Sequence, residues 1–159
     1  MNDLEQEIGS LLNEKGLTLG LVESATGGLL SHRITGVPGS SEYYKGSITA
    51  YGNETKVKIV GVKENTIKTY GAVSHQTADE MARMGKRLLE VDICLADTGI
   101  AGPTGGTPGK PVGLFYIGLS YEFGTHSREF RFKGDRDQNK NNAAEAAMEW
   151  LKEHLMELK

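Results

Sequence analysis

The sequence has one cysteine, no long apolar run and no basic stripe, and each of these shortages excludes a class of protein. It contains one cysteine, so no intrachain disulfide can form. Cys94 lies in the apolar segment VDICLA, where we expect a buried thiol in a reducing compartment. No apolar run approaches the ~18 residues that span a membrane, and the acidic, amphipathic start MNDLEQEIGS is not typical of a signal peptide. We therefore expect a cytoplasmic protein without a membrane partner.

The chain also lacks the charge and the ligand spacing of two common binding classes. Its 18 basic and 21 acidic residues give a net charge of −3, and no segment forms a basic stripe, so we expect no nucleic-acid partner. The four histidines (His32, His75, His126 and His154) have none of the spacings that zinc ligands show. The sequence therefore predicts neither a metal site nor a cofactor.

Glycine and proline are concentrated instead of being spread along the chain. The segment TGIAGPTGGTPGKPVG, residues 98–113, holds six glycines and three of the four prolines. Glycine permits positive φ and a close approach to the backbone, whereas proline fixes φ, so the segment is a shaped loop. Two interpretations are open for the loop alone: a tight connection between strands, or an anion-binding loop of bare amide groups.

Hydrophobic periodicity predicts one α/β domain over residues 1–159. Early alternation of helices and strands with a late hairpin indicates a three-layer α/β/α sandwich, in which helices cover both faces of a mixed, mostly parallel sheet. Asn2 or Asp3, Asn53 and Ser74 are the predicted helix caps. The predicted order is helix 3–15, strand 18–24, helix 27–35, strand 43–51, two short helical segments ending near residues 60 and 71, helix 75–89, strand 91–98, hairpin strands 113–122 and 126–134, and helix 136–158.

Ligands of open α/β sheets bind beyond the carboxyl ends of the strands. Three polar stretches follow strands of this sheet: residues 23–28, residues 51–56, and the loop that starts at Thr98. We expect them to converge, which favours the anion-binding interpretation of the loop.

Two side chains in these stretches could carry chemistry, and each has a plainer explanation. Ser24 could present its hydroxyl beside a helix N-terminus as a nucleophile, or Ser24 and Thr26 could merely cap that helix. Lys56 could be a desolvated base on the first turn of a helix, or an exposed helix lysine like Lys58. On spacing alone the plainer explanation is favoured for both residues.

Six motifs in one order shift this balance. ESATGG, GSSEYYKGSITAYGNETK, YGAVSHQTADEMA, TGIAGPTGG, KPVG and FKGDRD closely resemble the C-terminal domain of the competence-damage-inducible protein CinA, the nicotinamide mononucleotide deamidase family. The resemblance covers about residues 5 to 155. It implies an α/β/α fold with a five-stranded mixed sheet, and metal-free hydrolysis of the carboxamide of nicotinamide mononucleotide to nicotinate mononucleotide and ammonia.

The resemblance also assigns residues to roles. The family's catalytic serine, tyrosine and lysine fall on Ser24, Tyr51 and Lys56, and its arginine after the last strand corresponds to Arg136 or to Lys140. With the amides of the 24–28 turn and of residues 99–106, the predicted substrate-binding set is Thr26, Gly27, Gly28, Thr98, Gly99, Ala101, Gly102, Gly105, Gly106, Arg136 and Lys140.

The chain departs from the family pattern at three positions. Ala25 replaces a common cysteine, and Lys140 stands where relatives often have arginine, which keeps the charge but loses the bidentate fork. Asp97 replaces an apolar residue. Its carboxylate either raises the pKa of Lys56 or points away and bonds the loop.

These observations predict a serine–lysine amidohydrolase that acts on a small-molecule nucleotide. Two alternatives use the same residues differently: a nucleotide-binding module without turnover, and an interaction domain that works with a separate partner of the CinA N-terminal type. A homo-oligomer is one option for its assembly.

Overall fold

The computed structural model describes residues 3–158, which form six helices and five strands with one long loop, residues 100–113, between the third and fourth strands. The helices are α1 (Asp3–Lys15), α2 (Leu29–Thr35), α3 (Asn53–Thr55), α4 (Glu64–Tyr70), α5 (His75–Leu89) and α6 (Arg136–Glu157). The strands are β1 (Leu19–Glu23), β2 (Tyr44–Thr49), β3 (Ile93–Gly99), β4 (Leu114–Tyr121) and β5 (Gly124–Arg131). A short 3-10 turn covers Ser40–Glu42, and α3 continues into one π-helical turn, Lys56–Val60.

The five strands form one mixed sheet in the order β2-β1-β3-β4-β5. β1 pairs in parallel with β2 and with β3, whereas β4 is antiparallel to both of its neighbours. Four strands therefore run in one direction and β4 runs in the other. The predicted mixed, mostly parallel sheet is confirmed.

Alternation along the strands builds two cores, one on each face of the sheet. Leu19, Leu21 and Leu95 face a large apolar cluster with α1, α2 and α6. Val22 and Ala96 face a smaller cluster with α5 and the segment after α3. Because both faces are covered, the predicted three-layer α/β/α sandwich is confirmed.

Local sequence signals account for the starts of α5 and α6. The Ser74 side chain accepts a hydrogen bond from Thr77 N–H at the start of α5, as predicted. Asp135 and Gln138 form a reciprocal capping box that starts α6. The predicted cap at Asn53 is wrong, because α3 begins at Asn53 and the extended residue before it, Gly52, is the cap. The alternative cap Asn2 lies outside the described residues.

Parallel pairing brings three chain segments to one edge of the sheet. Glu23 at the end of β1 lies opposite Thr49 at the end of β2, and Val22 lies opposite Ala96 of β3. The turn after β1, the helical segment after β2 and the end of β3 are therefore neighbours. Most of the predicted site residues lie in these three segments or in the loop that follows β3.

Candidate active site at the carboxyl edge of the sheet

The turn after β1 is held by the carboxylate of Glu23, which is fully buried. Glu23 accepts hydrogen bonds from the N–H groups of Gly28, Leu30 and Ser31 at 2.9–3.1 Å and from the Ser31 hydroxyl at 2.5 Å. Glu23 thus satisfies the free amides at the start of α2, where Gly28 is the N-cap and has no side chain to do so. Neither Ser24 nor Thr26 is the cap that the plainer explanation required.

Asp97 ties the end of β3 to the same turn. Its side chain is fully buried and accepts hydrogen bonds from Ser24 N–H at 3.3 Å and Thr26 N–H at 3.0 Å. The Thr26 hydroxyl lies 2.5 Å from Asp97 Oδ2 and 2.7 Å from Glu23 Oε1. Burial raises the pKa of Asp97 well above its ordinary value, and the nearby charge of Glu23 raises it further.

Lys56 is the first residue of the π-helical turn, a local distortion that is frequent at functional sites. Only 2% of its surface is exposed, so it is not an ordinary surface lysine like Lys58, whose side chain is 72% exposed. The ammonium nitrogen donates to the backbone carbonyl of Tyr51 at 2.8 Å. Burial lowers the pKa of Lys56, and the charge of Asp97 opposes part of that change. Asp97 therefore acts on Lys56, as the first option required, and it bonds the Ser24 turn and not the loop after Thr98.

Tyr51 contributes two different atoms to the site. Its carbonyl orients Lys56, whereas its phenol is exposed and accepts a hydrogen bond from Arg136 Nη2 at 3.2 Å. The phenol therefore points toward the start of α6. Within residues 3–158 it makes no hydrogen bond to Ser24 or Lys56.

The loop after β3 leaves several amides unused. Between residues 3 and 158, the N–H groups of Ala101, Gly102, Thr104, Gly105 and Gly106 donate to no protein acceptor. The carbonyls of Ala101 and Gly102 are occupied by Asn139 Nδ2 at 3.0 Å and Arg136 Nη1 at 2.7 Å. α6 thus fixes the loop through its carbonyls, and these amides have no protein partner among the described residues. Residues 99–106, which are predicted to bind an anion, are called the anion-binding loop below.

The glycines of this loop have more than one reason to be glycine. A Cβ on Gly99 would lie 2.3 Å from the ring of Phe115, so Gly99 permits packing rather than ligand approach. Gly102 has a φ of 87°, and a Cβ there would lie 2.4 Å from Val112. Gly105 has a φ of 95° with space around it, whereas a Cβ on Gly106 would lie 2.9 Å from Val112 N. Thr98, directly before the loop, is anchored to the segment before α5, because its hydroxyl donates to Ala72 O at 2.7 Å.

Arg136 and Lys140 occupy different places on α6. Arg136 bonds the loop and Tyr51, so two of its nitrogens are already used. Lys140 Nζ lies 3.6 Å from the position that a Cβ on Gly27 would take, and it donates to no acceptor among residues 3–158. Gly27 and Gly28 have φ values of 60° and 105°, which lets the turn pass beneath this amine. Lys140 is therefore the cation available to a ligand at the turn.

Four amides of the 24–28 turn are already used inside the protein. Ser24 and Thr26 donate to Asp97, Gly27 donates to Ser24 O at 3.0 Å, and Gly28 donates to Glu23. The N–H of Ala25 makes no hydrogen bond within the described part of the chain. The expectation that the whole turn binds an oxyanion therefore narrows to Ala25, the residue after Ser24.

A cleft of about 590 Å³ adjoins this region between the anion-binding loop and the start of α6. It is lined by Ala101, Pro103, Val112, Gly134, Asp135, Arg136 and Asp137. Among residues 3–158, no group of three or more histidines, cysteines or carboxylates is placed to hold a metal. No helix in this part of the chain has the length and apolar character needed to cross a membrane.

The sequence pattern did not reveal two members of the site. Asn139 is fully buried and joins Ala101 O to the Gly134 carbonyl and N–H, at 2.9–3.0 Å. A polar residue on the inner side of an alanine-rich helix was the available signal. Glu23 is predicted only as part of the motif ESATGG and of residues 23–28. The available signal was a carboxylate at a strand end, since it can accept the free N–H groups at the start of the helix that follows.

Comparison with known proteins places this arrangement in a family. A relative from Halothermothrix orenii is 50% identical over 153 residues, which are 96% of this chain and 37% of the relative. The CinA-like protein of Thermotoga neapolitana is 46% identical over 159 residues, 99% of this chain and 39% of that protein. The chain thus spans less than two fifths of the length of these relatives.

Solved structures agree with the sequence matches. The competence damage-inducible protein A from Klebsiella pneumoniae superposes with a TM-score of 0.95 at 27% identity, over 99% of this chain and 98% of that one. The competence/damage inducible protein from Agrobacterium tumefaciens gives 0.89 at 33% identity, over 95% and 94%. The family model of the CinA C-terminal domain matches residues 1–155. The chain belongs to the CinA C-terminal domain family.

Proposed function

We propose that this chain hydrolyses the carboxamide of nicotinamide mononucleotide, giving nicotinate mononucleotide and ammonia, with Ser24 as nucleophile and Lys56 as base. The observation that carries the proposal is the state of Lys56. It is buried, its hydrogen-bond partner is a neutral carbonyl, and its pKa is lowered by burial. A lysine of this kind can act as a general base near neutral pH.

Ser24 is suited to attack because its hydroxyl is needed neither to cap α2 nor to bond Asp97. Glu23 caps α2, and the Ser24 bond to Asp97 uses the backbone N–H. The Ser24 hydroxyl makes no hydrogen bond within residues 3–158, and the next residue in the chain, Ala25, has a free N–H in the same range. Asp97 bonds the Ser24 turn and interacts with Lys56, which supports one site for the two residues.

The proposed reaction has two stages. Lys56 takes the proton of the Ser24 hydroxyl as its oxygen attacks the carboxamide carbon, and Ala25 N–H stabilises the oxyanion. The C–N bond then breaks, ammonia leaves with the proton from Lys56, and an acyl ester on Ser24 remains. Lys56 next takes a proton from water, whose oxygen attacks the ester, and the carboxylic acid leaves as the proton returns to Ser24.

The free amides of the anion-binding loop support a phosphorylated substrate. Five N–H groups of the loop have no acceptor among residues 3–158, the amine of Lys140 lies beside Gly27, and Arg136 bonds both the loop and Tyr51. We propose that the amides and Lys140 bind the phosphate, and that the exposed Tyr51 phenol covers the substrate. Thr26, Gly27 and Gly28 shape the turn beneath it.

A nucleotide-binding module without turnover is the second candidate. It is favoured by Asp97, whose charge raises the pKa of Lys56 and weakens it as a base. It uses the same loop and the same cations, so binding alone does not separate the two functions.

An assay of ammonia release separates them. The full chain is incubated with nicotinamide mononucleotide, nicotinamide riboside, nicotinamide and unrelated amides, and ammonia is followed with a coupled enzyme. We expect release from the mononucleotide alone, and we expect saturating EDTA to leave the rate unchanged. Binding of the mononucleotide without ammonia release would favour the second candidate.

A further inference from the structure

Three oxygen atoms form a short chain inside the protein, next to Ser24. Asp97 Oδ2 lies 2.5 Å from Thr26 Oγ1, which lies 2.7 Å from Glu23 Oε1. The two carboxyl groups are fully buried, and Thr26 is 1% exposed. The proposed catalytic roles leave this chain of atoms without a function.

Counting protons shows that one of the two carboxyl groups is protonated. A hydroxyl has one proton, so Thr26 can donate to only one carboxylate. If both Glu23 and Asp97 were ionised, one of the two contacts would join two oxygen atoms at 2.5 or 2.7 Å with no proton between them. Two buried carboxylates that meet in this way share a proton, because like charges at this distance cannot both persist.

The surroundings place that proton on Asp97. Glu23 accepts from three backbone N–H groups and the Ser31 hydroxyl at the positive end of α2, all of which favour its ionised form. Asp97 accepts from two backbone N–H groups, one of them at 3.3 Å, and its burial disfavours a charge. Among charged groups, Glu23 acts on Asp97, and Asp97 acts on Lys56.

We propose that Asp97 is a positioning residue that works as a carboxylic acid, donating its proton to Thr26 while its other oxygen accepts Thr26 N–H. This inference rests on the proposed function, because its consequence concerns the serine–lysine pair. The neutral acid fixes the turn that carries Ser24 and puts no negative charge beside Lys56. A carboxylic acid with a free amine holds the same number of protons as a carboxylate with an ammonium ion, and only the first arrangement has a base.

Substitutions that imitate or abolish the acid test this role. In Asp97→Asn, the amide N–H can donate to the Thr26 hydroxyl and the oxygen can accept Thr26 N–H, whereas the 3.3 Å bond from Ser24 N–H is lost. Asp97→Leu keeps the size and loses all three bonds. We expect the kcat of Asp97→Asn to exceed that of Asp97→Leu about tenfold or more, with similar KM values, because a lost buried hydrogen bond costs ~1–3 kcal/mol.

Replacing each of the two carboxyl groups by an amide should have different effects on kcat. Glu23→Gln places an N–H donor among the N–H and hydroxyl groups that donate to Glu23, so its kcat should fall below that of Asp97→Asn. If Asp97→Asn and Asp97→Leu lose kcat equally, Asp97 is needed as a carboxylate and the proposal is overturned. Thermal unfolding of the same variants separates lost folding from lost turnover.

The protonation state can be read without turnover. The full chain is labelled with ¹³C at the aspartate carboxyl carbons, and Asp97→Asn identifies the Asp97 resonance. We expect the chemical shift of a protonated acid at pH 5, since burial raises the pKa of Asp97 to about 6. A carboxylate shift for Asp97 at pH 5 contradicts the inference. If Asp97 has the chemical shift of an acid but the chain releases no ammonia, the proposed function is refuted and the inference that Asp97 is protonated stands.

Discussion

The strands β1 and β3 are joined by a threonine and an aspartate at both ends, and the two pairs have different surroundings. At the amino ends, Thr18 N and Oγ1 donate to Asp92 at 2.9 and 3.0 Å, and Asp92 N donates back to Thr18 at 3.0 Å. At the carboxyl ends, Thr26 N and Oγ1 contact Asp97 at 3.0 and 2.5 Å. Asp92 is exposed, whereas Asp97 is fully buried.

The difference shows how burial changes the use of one hydrogen-bonding pattern. Water around Asp92 solvates its charge and screens it from other groups, so the pair acts as a connection between two strands. Around Asp97 there is no such screening. The protonation of Asp97 therefore depends on Glu23 and affects Lys56, so the same two residue types lie in the proposed reactive site.

The largest effect on ammonia release is expected for substitutions of Ser24 and Lys56, near the buried carboxyl ends of β1 and β3. Ser24→Ala and Lys56→Ala should each lower ammonia release by about 10³-fold or more, because nucleophile and base act as a unit. Lys56→Arg should be equally inactive, since a guanidinium does not lose its proton in this range. Lys58→Ala, two residues away and exposed, is the matched control and should keep its rate. Substantial turnover by folded Ser24→Ala would remove serine as the nucleophile.

The anion-binding loop gives the next largest effect. The wild type should bind the mononucleotide at least about tenfold more tightly than the riboside, because charge-assisted hydrogen bonds contribute roughly 1.5–3 kcal/mol each. Gly102→Val and Gly105→Val should abolish this preference, since both positions have positive φ. A Cβ on Gly109 of the same connection would meet no atom within 4 Å, so Gly109→Val is the control.

Calorimetry with both ligands, and circular dichroism to check folding, measure this preference. Equal affinity of the wild type for nucleotide and riboside would leave the loop as a structural turn. A preference that survives in Gly102→Val would move the phosphate to another part of the site.

A smaller effect should separate the two cations of α6. Lys140→Ala should lose several-fold more affinity for the mononucleotide than for the riboside, because its amine has no partner among the described residues. Arg136→Ala should weaken both ligands alike, since it braces Gly102 and Tyr51. The reverse pattern in calorimetry would make Arg136 the phosphate ligand and Lys140 the support.

The smallest effect concerns stability at the two ends of β1 and β3. Burial raises the pKa of Asp97 in the folded state, so the folded chain holds a proton that the unfolded chain releases above about pH 4. The stability that this gives is complete below that pH and is lost as the pH rises toward the folded-state pKa. The unfolding free energy of Asp97→Asn should therefore gain on the wild type by about 1.4 kcal/mol per pH unit in this range.

Urea unfolding between pH 4 and pH 7 measures that difference. Asp92→Asn is the matched change at the exposed end and should cost about 0.5–1.5 kcal/mol, as for an ordinary hydrogen bond. A constant difference between Asp97→Asn and the wild type across this range would contradict the raised pKa.

The sequence predicts the fold well because the apolar pattern changes period at each element, as in strand 93–99 and helix 75–89. It predicts Ser24 and Lys56 as candidates because both follow strand ends. The start of α3 was misplaced by one residue, since Gly52 and Asn53 can both begin a helix.

What the sequence leaves open depends on contacts between distant residues. Thr26 and Asp97 are 71 positions apart, so no local pattern shows that they meet. Arg136 and Lys140 are one helical turn apart and chemically similar, and the tertiary contacts of Arg136 with Gly102 and Tyr51 and of Lys140 with Gly27 distinguish them. The burial of Lys56 is likewise a result of tertiary packing.

The most direct test of the central claim is ammonia release from nicotinamide mononucleotide by the wild type, with Lys56→Ala and Lys58→Ala measured in the same assay. We expect release by the wild type and by Lys58→Ala, and loss of release in folded Lys56→Ala. No release by a wild type that binds the mononucleotide, or equal release by all three proteins, would contradict the assignment of this buried lysine as the base of an amidohydrolase.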